Sequence, residues 1–128
     1  GETQQVYLDK QMIKNIYLNL LSNAIKFSDN NKTIILNTKI KNNTIEIYVK
    51  DEGIGVPKDE QPKLFERFYR GKNAFNIQGT GLGLNIISKY VELMNGTITF
   101  ESELNKGTSF NIILPNKPNN EDYFINWR

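Results

Sequence analysis

Gly79-Thr80-Gly81-Leu82-Gly83-Leu84 runs directly into Asn85-Ile86-Ile87-Ser88-Lys89-Tyr90-Val91-Glu92-Leu93-Met94, an amphipathic segment with its apolar residues at helical spacing. Three glycines at the mouth of a helix let the backbone approach a ligand closely, because no Cβ stands in the way. The helix behind them offers unpaired N–H groups and the positive end of its dipole, a place suited to phosphate. The common phosphate loops do not fit. A dinucleotide fingerprint needs a strand directly before the glycines, and Gly71-Lys72-Asn73-Ala74-Phe75-Asn76-Ile77-Gln78 has no apolar run to form one. A Walker loop ends in Gly-Lys-Ser or Gly-Lys-Thr, and the glycine loop of protein kinases leads into a strand. What remains is either a phosphate-facing helix start behind a polar lid or a plain glycine-rich loop, and residues elsewhere must decide.

The chain has 128 residues, enough for one domain that buries roughly two thirds of its unfolded surface. With no cysteine and no histidine, it has no disulfides, no thiol or imidazole chemistry and no zinc site of the usual kind. A net charge of +2 with scattered lysines forms no basic stripe, so nucleic acid is not an expected partner. No apolar run approaches the roughly 20 residues of a membrane span and no signal peptide opens the chain, so a cytoplasmic, monomeric domain is expected.

Upstream of the glycines, Ile13, Ile16, Tyr17, Leu20, Leu21, Ala24 and Ile25 recur at three- and four-residue spacing, which predicts a helix from Lys10 to Phe27 with Asp9 as its N-cap. On that helix Asn19, Asn23 and Lys26 share one stripe along the border of the apolar face. Each is readable as an ordinary boundary polar residue, but two asparagines, poor helix formers, in register with a lysine also fit a site. Residues 33–40 and 44–50 predict a β-hairpin turning at Lys41-Asn42-Asn43, the second strand alternating through Ile45, Ile47 and Val49. It ends in Asp51-Glu52-Gly53-Ile54-Gly55. This is either a polar turn or a carboxylate placed to accept a hydrogen bond from an exocyclic amine such as adenine's, with glycine backbone close to the ring.

Pro57 suits the first turn of a short helix running toward Leu64 and Phe65. Phe65 and Phe68, three apart, are readable as core or as part of a functional element, and the polar run from Arg70 to Gly79 as a lid. Asn95-Gly96 signals a helix C-cap. Residues 97–102 and 108–114 predict two strands joined by Leu104-Asn105-Lys106-Gly107. Residues 1–115 are therefore expected to form the folded unit, and 116–128 a tail or linker whose Tyr123, Phe124, Ile125 and Trp127 could dock elsewhere on the chain.

In this order the pieces resemble the catalytic ATP-binding domain of bacterial two-component sensor histidine kinases, part of the superfamily that includes gyrase, heat-shock chaperone and mismatch-repair ATPases. The resemblance rests on Asn19 to Phe27 as the N box, Asp51 to Gly55 and Gly79 to Leu84 as two glycine boxes, Leu64 to Phe68 as the F box, and Lys106-Gly107-Thr108 as a closing element. It implies a Bergerat-type fold: an α+β two-layer sandwich whose mixed, mostly antiparallel sheet carries helices on one face. It implies ATP and Mg²⁺ as ligands, with Asn23 on the metal, Asn19, Lys26 and Arg70 at the phosphates, and Phe27 and Asp51 at the adenine. Gly53, Ile54, Gly55, Phe68, Gly79, Thr80, Gly81, Leu82, Gly83, Leu84 and Thr108 would line the site. The implied partners are a histidine-bearing dimerisation domain of the same parent and a response regulator or fused receiver domain; whether the parent is anchored in the inner membrane stays open. One departure from the ATPases of the superfamily stands out. They carry a glutamate where this chain has Asn19, and an amide cannot take a proton from water. Slow hydrolysis and transfer to an external histidine are therefore expected, with a stand-alone ATPase or a non-catalytic nucleotide sensor as alternatives.

Overall fold

The computed structural model describes residues 4–7, 9–28, 31–41, 43–66, 83–116 and 124–127. Among the described residues nine elements follow one another: β1 (Gln4–Tyr7), α1 (Lys10–Phe27), β2 (Ile35–Ile40), β3 (Thr44–Asp51), a 3₁₀ helix (Lys58–Lys63), α2 (Gly83–Leu93), β4 (Thr97–Glu103), β5 (Gly107–Pro115) and β6 (Phe124–Trp127). The predicted α1 is found with the bounds expected. Its cap is Asp9, whose side chain accepts from the N–H groups of Gln11 and Met12 at 2.9 and 3.1 Å. Such a cap is worth about 1 kcal/mol.

β2, β3, β5 and β4, in that spatial order, form a four-stranded sheet in which every ladder is antiparallel. Period-two alternation gives the sheet an apolar face and a polar one. Ile45, Ile47 and Val49 of β3 and Phe110, Ile112 and Leu114 of β5 are buried on the first, beneath Ile13, Ile16, Leu20 and Ala24 of α1 and Ile87 and Val91 of α2. Thr44, Glu46, Tyr48 and Lys50 alternate with them on the other face, partly or fully exposed. Helices therefore cover one side only, as the α+β two-layer expectation requires.

Three local outcomes differ from the sequence reading. Ile25 is 65% exposed, because the sheet and α2 are met by the stripe through Ile16, Leu20 and Ala24, and Ile25 lies about 100° round the helix from Ala24. The short helix after Pro57 is of the 3₁₀ kind and contains Pro62, whose missing N–H prevents a regular α-helical ladder. The cap expected at Asn95-Gly96 is by contrast found at the end of α2, with Asn95 the left-handed residue at φ 58°. Gly96 is needed for space, since a Cβ there would lie 2.6 Å from both the Ile113 carbonyl oxygen and Leu114 Cδ2. Finally, part of the expected tail is a strand: β6 pairs antiparallel with β1, from Gln4 opposite Trp127 to Tyr7 opposite Phe124. The β-prone run Phe124-Ile125-Asn126-Trp127 supplies the propensity for it.

Candidate functional site

Residues directly opposite one another in a ladder point to the same face, so the apolar side of the sheet is organised in cross-strand rows. Ile47, Ile112 and Ile98 make one row across β3, β5 and β4, and Val49, Phe110 and Phe100 the next. Phe65 stands against the second, its ring 5.7 Å from Phe100 and 6.3 Å from Phe110 in edge-on geometry, which makes it a core residue. The row after that is Asp51, Thr108 and Ser102. An apolar face thus turns polar at the end of the sheet, with Asp51 and Thr108 each only 8% exposed.

Burying a carboxylate is costly unless its lone pairs find donors. Asp51 Oδ1 accepts from the Gly53 N–H at 2.8 Å and the Thr108 N–H at 3.3 Å. Burial pushes its pKa above the ordinary aspartate value, and those two hydrogen bonds pull against the shift. Glycine is required on both sides of this carboxylate. A Cβ on Gly53 would overlap the Phe27 carbonyl oxygen and come within 2.9 Å of Asp51 Oδ1, and one on Gly107, whose φ is 127°, would overlap the Asp51 carbonyl oxygen. The Ile54 N–H donates to that Phe27 carbonyl at 3.1 Å, which fastens the turn after β3 to the C-terminal end of α1.

From Phe27 back to Asn19 is eight residues, about 12 Å of helix. There α1 meets the start of α2. The position of a Cβ on Gly83 is 3.3 Å from Asn19 Oδ1, 3.6 Å from Asn23 Nδ2 and 3.7 Å from Asn23 Oδ1. The Asn19 amide N–H donates to the Asn15 carbonyl at 2.8 Å, so its oxygen is the end turned to α2. Lys26, one turn beyond Asn23, is exposed. The first turn of α2 has no acidic residue to satisfy its N–H groups. The geometry joins a buried acceptor, a glycine-walled gap and a helix N-terminus along one edge of α1. Of the expected site residues, Asn19, Asn23, Phe27, Asp51, Gly53, Ile54, Gly83 and Thr108 are brought into these contacts, and Gly55 (φ 71°) turns the segment that follows. Leu84 packs against the core beside them. Phe68, Arg70, Gly79, Thr80, Gly81 and Leu82 lie outside the described residues. Among the described residues no cluster of three or more acidic side chains could hold a metal ion, and no helix is long and apolar enough to cross a membrane.

Residues 8–118 match the family model described as histidine kinase-, DNA gyrase B- and HSP90-like ATPase. The chain belongs to this family. Within it, the signal transduction histidine-protein kinase ArlS of Staphylococcus aureus is 40% identical over 112 residues, 86% of this chain and 25% of the relative. The chain therefore spans about a quarter of the length of the relative it matches. Among solved structures of the family, the mycobacterial sensor histidine kinase MprB superposes with a TM-score of 0.78 at 30% identity, covering 88% of this chain and 78% of that one. The catalytic domain of the histidine kinase ThkA gives 0.73 at 31% identity over 87% of this chain and 70% of its own. Full-length ShkA, solved in complex with AMPPNP, gives 0.72 at 29% identity over 86% of this chain and 22% of its own.

The sequence reading of the site missed Ser102. It was detectable: β4 alternates Ile98, Phe100, Ser102 on its inward side, and a serine where the period calls for an apolar residue marks where the core face ends.

Proposed function

We propose that residues 1–115 bind Mg·ATP between α1 and α2 and present its γ-phosphate to a histidine on a separate dimerisation domain of the same parent, in the cytoplasm, with 116–128 taking no part in the site. A response regulator or fused receiver domain would then take the phosphoryl group onward. The observation that carries this reading is Asp51: a buried carboxylate with one oxygen held by two backbone N–H groups and flanked by glycine, beside the end of α1. An exocyclic amino group is a partner such an acceptor can select. Asn19, Asn23, Lys26 and the α2 N-terminus are then spaced for the phosphates, and Arg70 would join them from the segment between Phe68 and Gly79.

Mg²⁺ favours oxygen ligands and keeps several waters, so the Asn23 amide oxygen with the nucleotide's own oxygens suits it better than an acidic cage would. When bound, the ion would neutralise phosphate charge. The chain's own contribution is positioning and exclusion of water. Asn19 is an amide whose N–H is already engaged, so no base stands ready to activate water, which favours transfer to an external acceptor over hydrolysis.

Calorimetric titration of ADP and a non-hydrolysable ATP analogue, with Mg²⁺, into the wild type and Asp51→Asn tests the reading, with GTP as control. A hydrogen bond to a charged acceptor is worth about 1.5–3 kcal/mol, so the substitution should weaken ADP roughly ten- to a hundredfold. Absence of ADP binding by folded wild type would sink the proposal. Phosphate release without a partner, at the rate of a working ATPase, would replace kinase with hydrolase.

A further inference from the structure

α1 carries a second apolar stripe, turned away from both the core and the asparagines. At about 100° per residue, Leu18, Leu21 and Ile25 fall within about 60° of one another and about 150° round the helix from Asn19 and Asn23. Leu18 and Ile25 are 55% and 65% exposed, and Leu21 is half-buried. Beneath the stripe, Tyr17 Oη lies 2.6 Å from Thr38 Oγ1, so α1 overhangs β2, an edge strand of the four-stranded sheet. From Tyr17 the helix runs on to Phe27, which the Ile54 N–H fastens beyond the end of β3, and Lys50 near that end stands opposite Ile35. Leu21 and Ile25 are therefore on the Leu36 side of Tyr17. Leu36, opposite Val49 in the ladder, faces the helix layer and is still 41% exposed. Stripe and strand form the two walls of a step along the open edge of the layers.

We propose that this step docks an amphipathic helix of a partner protein or domain, with acidic residues beside its apolar face. Leu18, Leu21 and Ile25 are spaced by three and four residues, the spacing of a helix–helix seam, and Gln11 and Lys14 continue it toward the start of α1. An apolar groove beside such a seam is the usual seat of an amphipathic helix. Charge selects the partner. α1 contains Lys10, Lys14 and Lys26 and no acidic residue, so a second copy of the chain would set lysine against lysine, whereas an acidic helix meets the exposed Lys14 at the end of the stripe. A flat membrane surface reaches Leu18 and Ile25 but not Leu36, which lies one layer below. Because the stripe faces away from Asn19 and Asn23, a docked helix leaves the gap at Gly83 open, and nucleotide and helix bind together.

The test selects binders of the 128-residue chain from a displayed library of randomised helical peptides of about five turns. The peptide recovered is then titrated into the wild type, the double variant Leu18→Ser/Ile25→Ser, and Lys14→Glu. Selected sequences should carry apolar residues at three- and four-residue spacing flanked by Asp or Glu, and circular dichroism should show helix gained on binding. The double variant should bind about tenfold or more weakly, the scale of one buried aliphatic side chain. Lys14→Glu should weaken binding about two- to fivefold, and a peptide with lysine in place of its acidic residues should recover that loss. All three positions are exposed, so the thermal midpoint and ADP affinity should match wild type. If the double variant loses its cooperative melt, Lys14→Glu and the charge-swapped peptide carry the test. A library that yields no binder, binders that alternate every second residue as a strand would, or binding indifferent to the double variant and to Lys14→Glu would overturn the proposal. So would competition between peptide and ADP. Sedimentation showing a wild-type dimer lost in the double variant would assign the face to a second copy, and loss of binding to phosphatidylglycerol vesicles in that variant would assign it to a membrane; either result overturns the acidic helix.

Discussion

At the Asp51 end of the site three adjacent strands hold the polar groups in one row, and each has a partner in the ladder or in the turn beside it. At the Asn23 end the groups come from two helices, and the gap between them is set by a missing side chain, that of Gly83, with one hydrogen bond, from the Asn19 side-chain amide to the Asn15 carbonyl, to orient the wall. The first end is rigid because sheet register fixes it. The second can adjust because helices shift against each other more easily than paired strands do. Such a division suits a ligand with a constant base and a phosphate tail that must be handed over.

Gly53→Ala should break the rigid end most severely. The new Cβ would overlap the Phe27 carbonyl oxygen, so the turn after β3 must separate from α1. Overpacking of this kind costs about 1–3 kcal/mol. A lower thermal midpoint with ADP binding reduced at least as far as in Asp51→Asn is the expected pair of readings. A folded variant with normal affinity would mean that this contact does not shape the base pocket.

Asn23→Ala strikes the other end and should separate the metal from the base. Alanine is the better helix former, so the fold should hold or gain slightly. Affinity for ADP without Mg²⁺ should be unchanged, while the gain on adding Mg²⁺ falls about tenfold or more, on the scale of one contact to a charged partner. Magnesium titrations at fixed ADP read this directly. A variant whose Mg²⁺ dependence matches wild type would remove Asn23 from the metal.

The pH dependence sharpens the contrast, because among the described residues the carboxylate with a shifted pKa, Asp51, belongs to the rigid end. The folded value of Asp51 is raised, so between the unfolded and folded values the folded state binds more protons. Its contribution to stability is therefore complete below the unfolded value and lost as pH rises through the folded one. Binding runs the other way: an amino group needs the ionised carboxylate, so ADP affinity should fall as pH is lowered through the same folded pKa. In Asp51→Asn that fall should vanish. Its persistence there would assign it to another group.

The rigid end was also the legible one. Strict alternation through Ile45, Ile47 and Val49 predicted the strand that ends in Asp51, and glycines flanking that strand-end carboxylate carried the chemistry. Ser102 was passed over although the alternation of β4 marks it; what only the register adds is which residues share its row, Thr108 and beyond it Asp51. At the adaptable end Asn19, Asn23 and Lys26 were readable as a stripe, but that Gly83 lies against the two asparagines follows from how α1 and α2 pack, which sequence periodicity does not encode. Ile25 was misjudged, and the place of β6 left open, for the same reason. An apolar residue at the edge of a helical stripe, and a β-prone run near a terminus, acquire a place only from what folds against them.

Gly83→Ala asks whether the two ends are in fact separate. The φ of Gly83 is not in the left-handed region, so alanine is permitted by the backbone. As the first residue of α2 it should stabilise the helix by up to about 1 kcal/mol relative to glycine. Its Cβ would lie 3.3 Å from Asn19 Oδ1, tight but tolerable if that side chain yields slightly. The cost falls on whatever occupies the gap. A methyl group between the asparagines and the helix N-terminus should weaken the ATP analogue about two- to fivefold, equivalent to about 0.4–1 kcal/mol. Preference for adenine over guanine should not change, because the Asp51 row is about a dozen ångströms away along α1. An ATP affinity that matches wild type would mean that the phosphates do not use the gap. A fall in adenine selectivity alongside the loss would mean that the helices and the sheet end move together, and that the division between a rigid and an adaptable end is wrong.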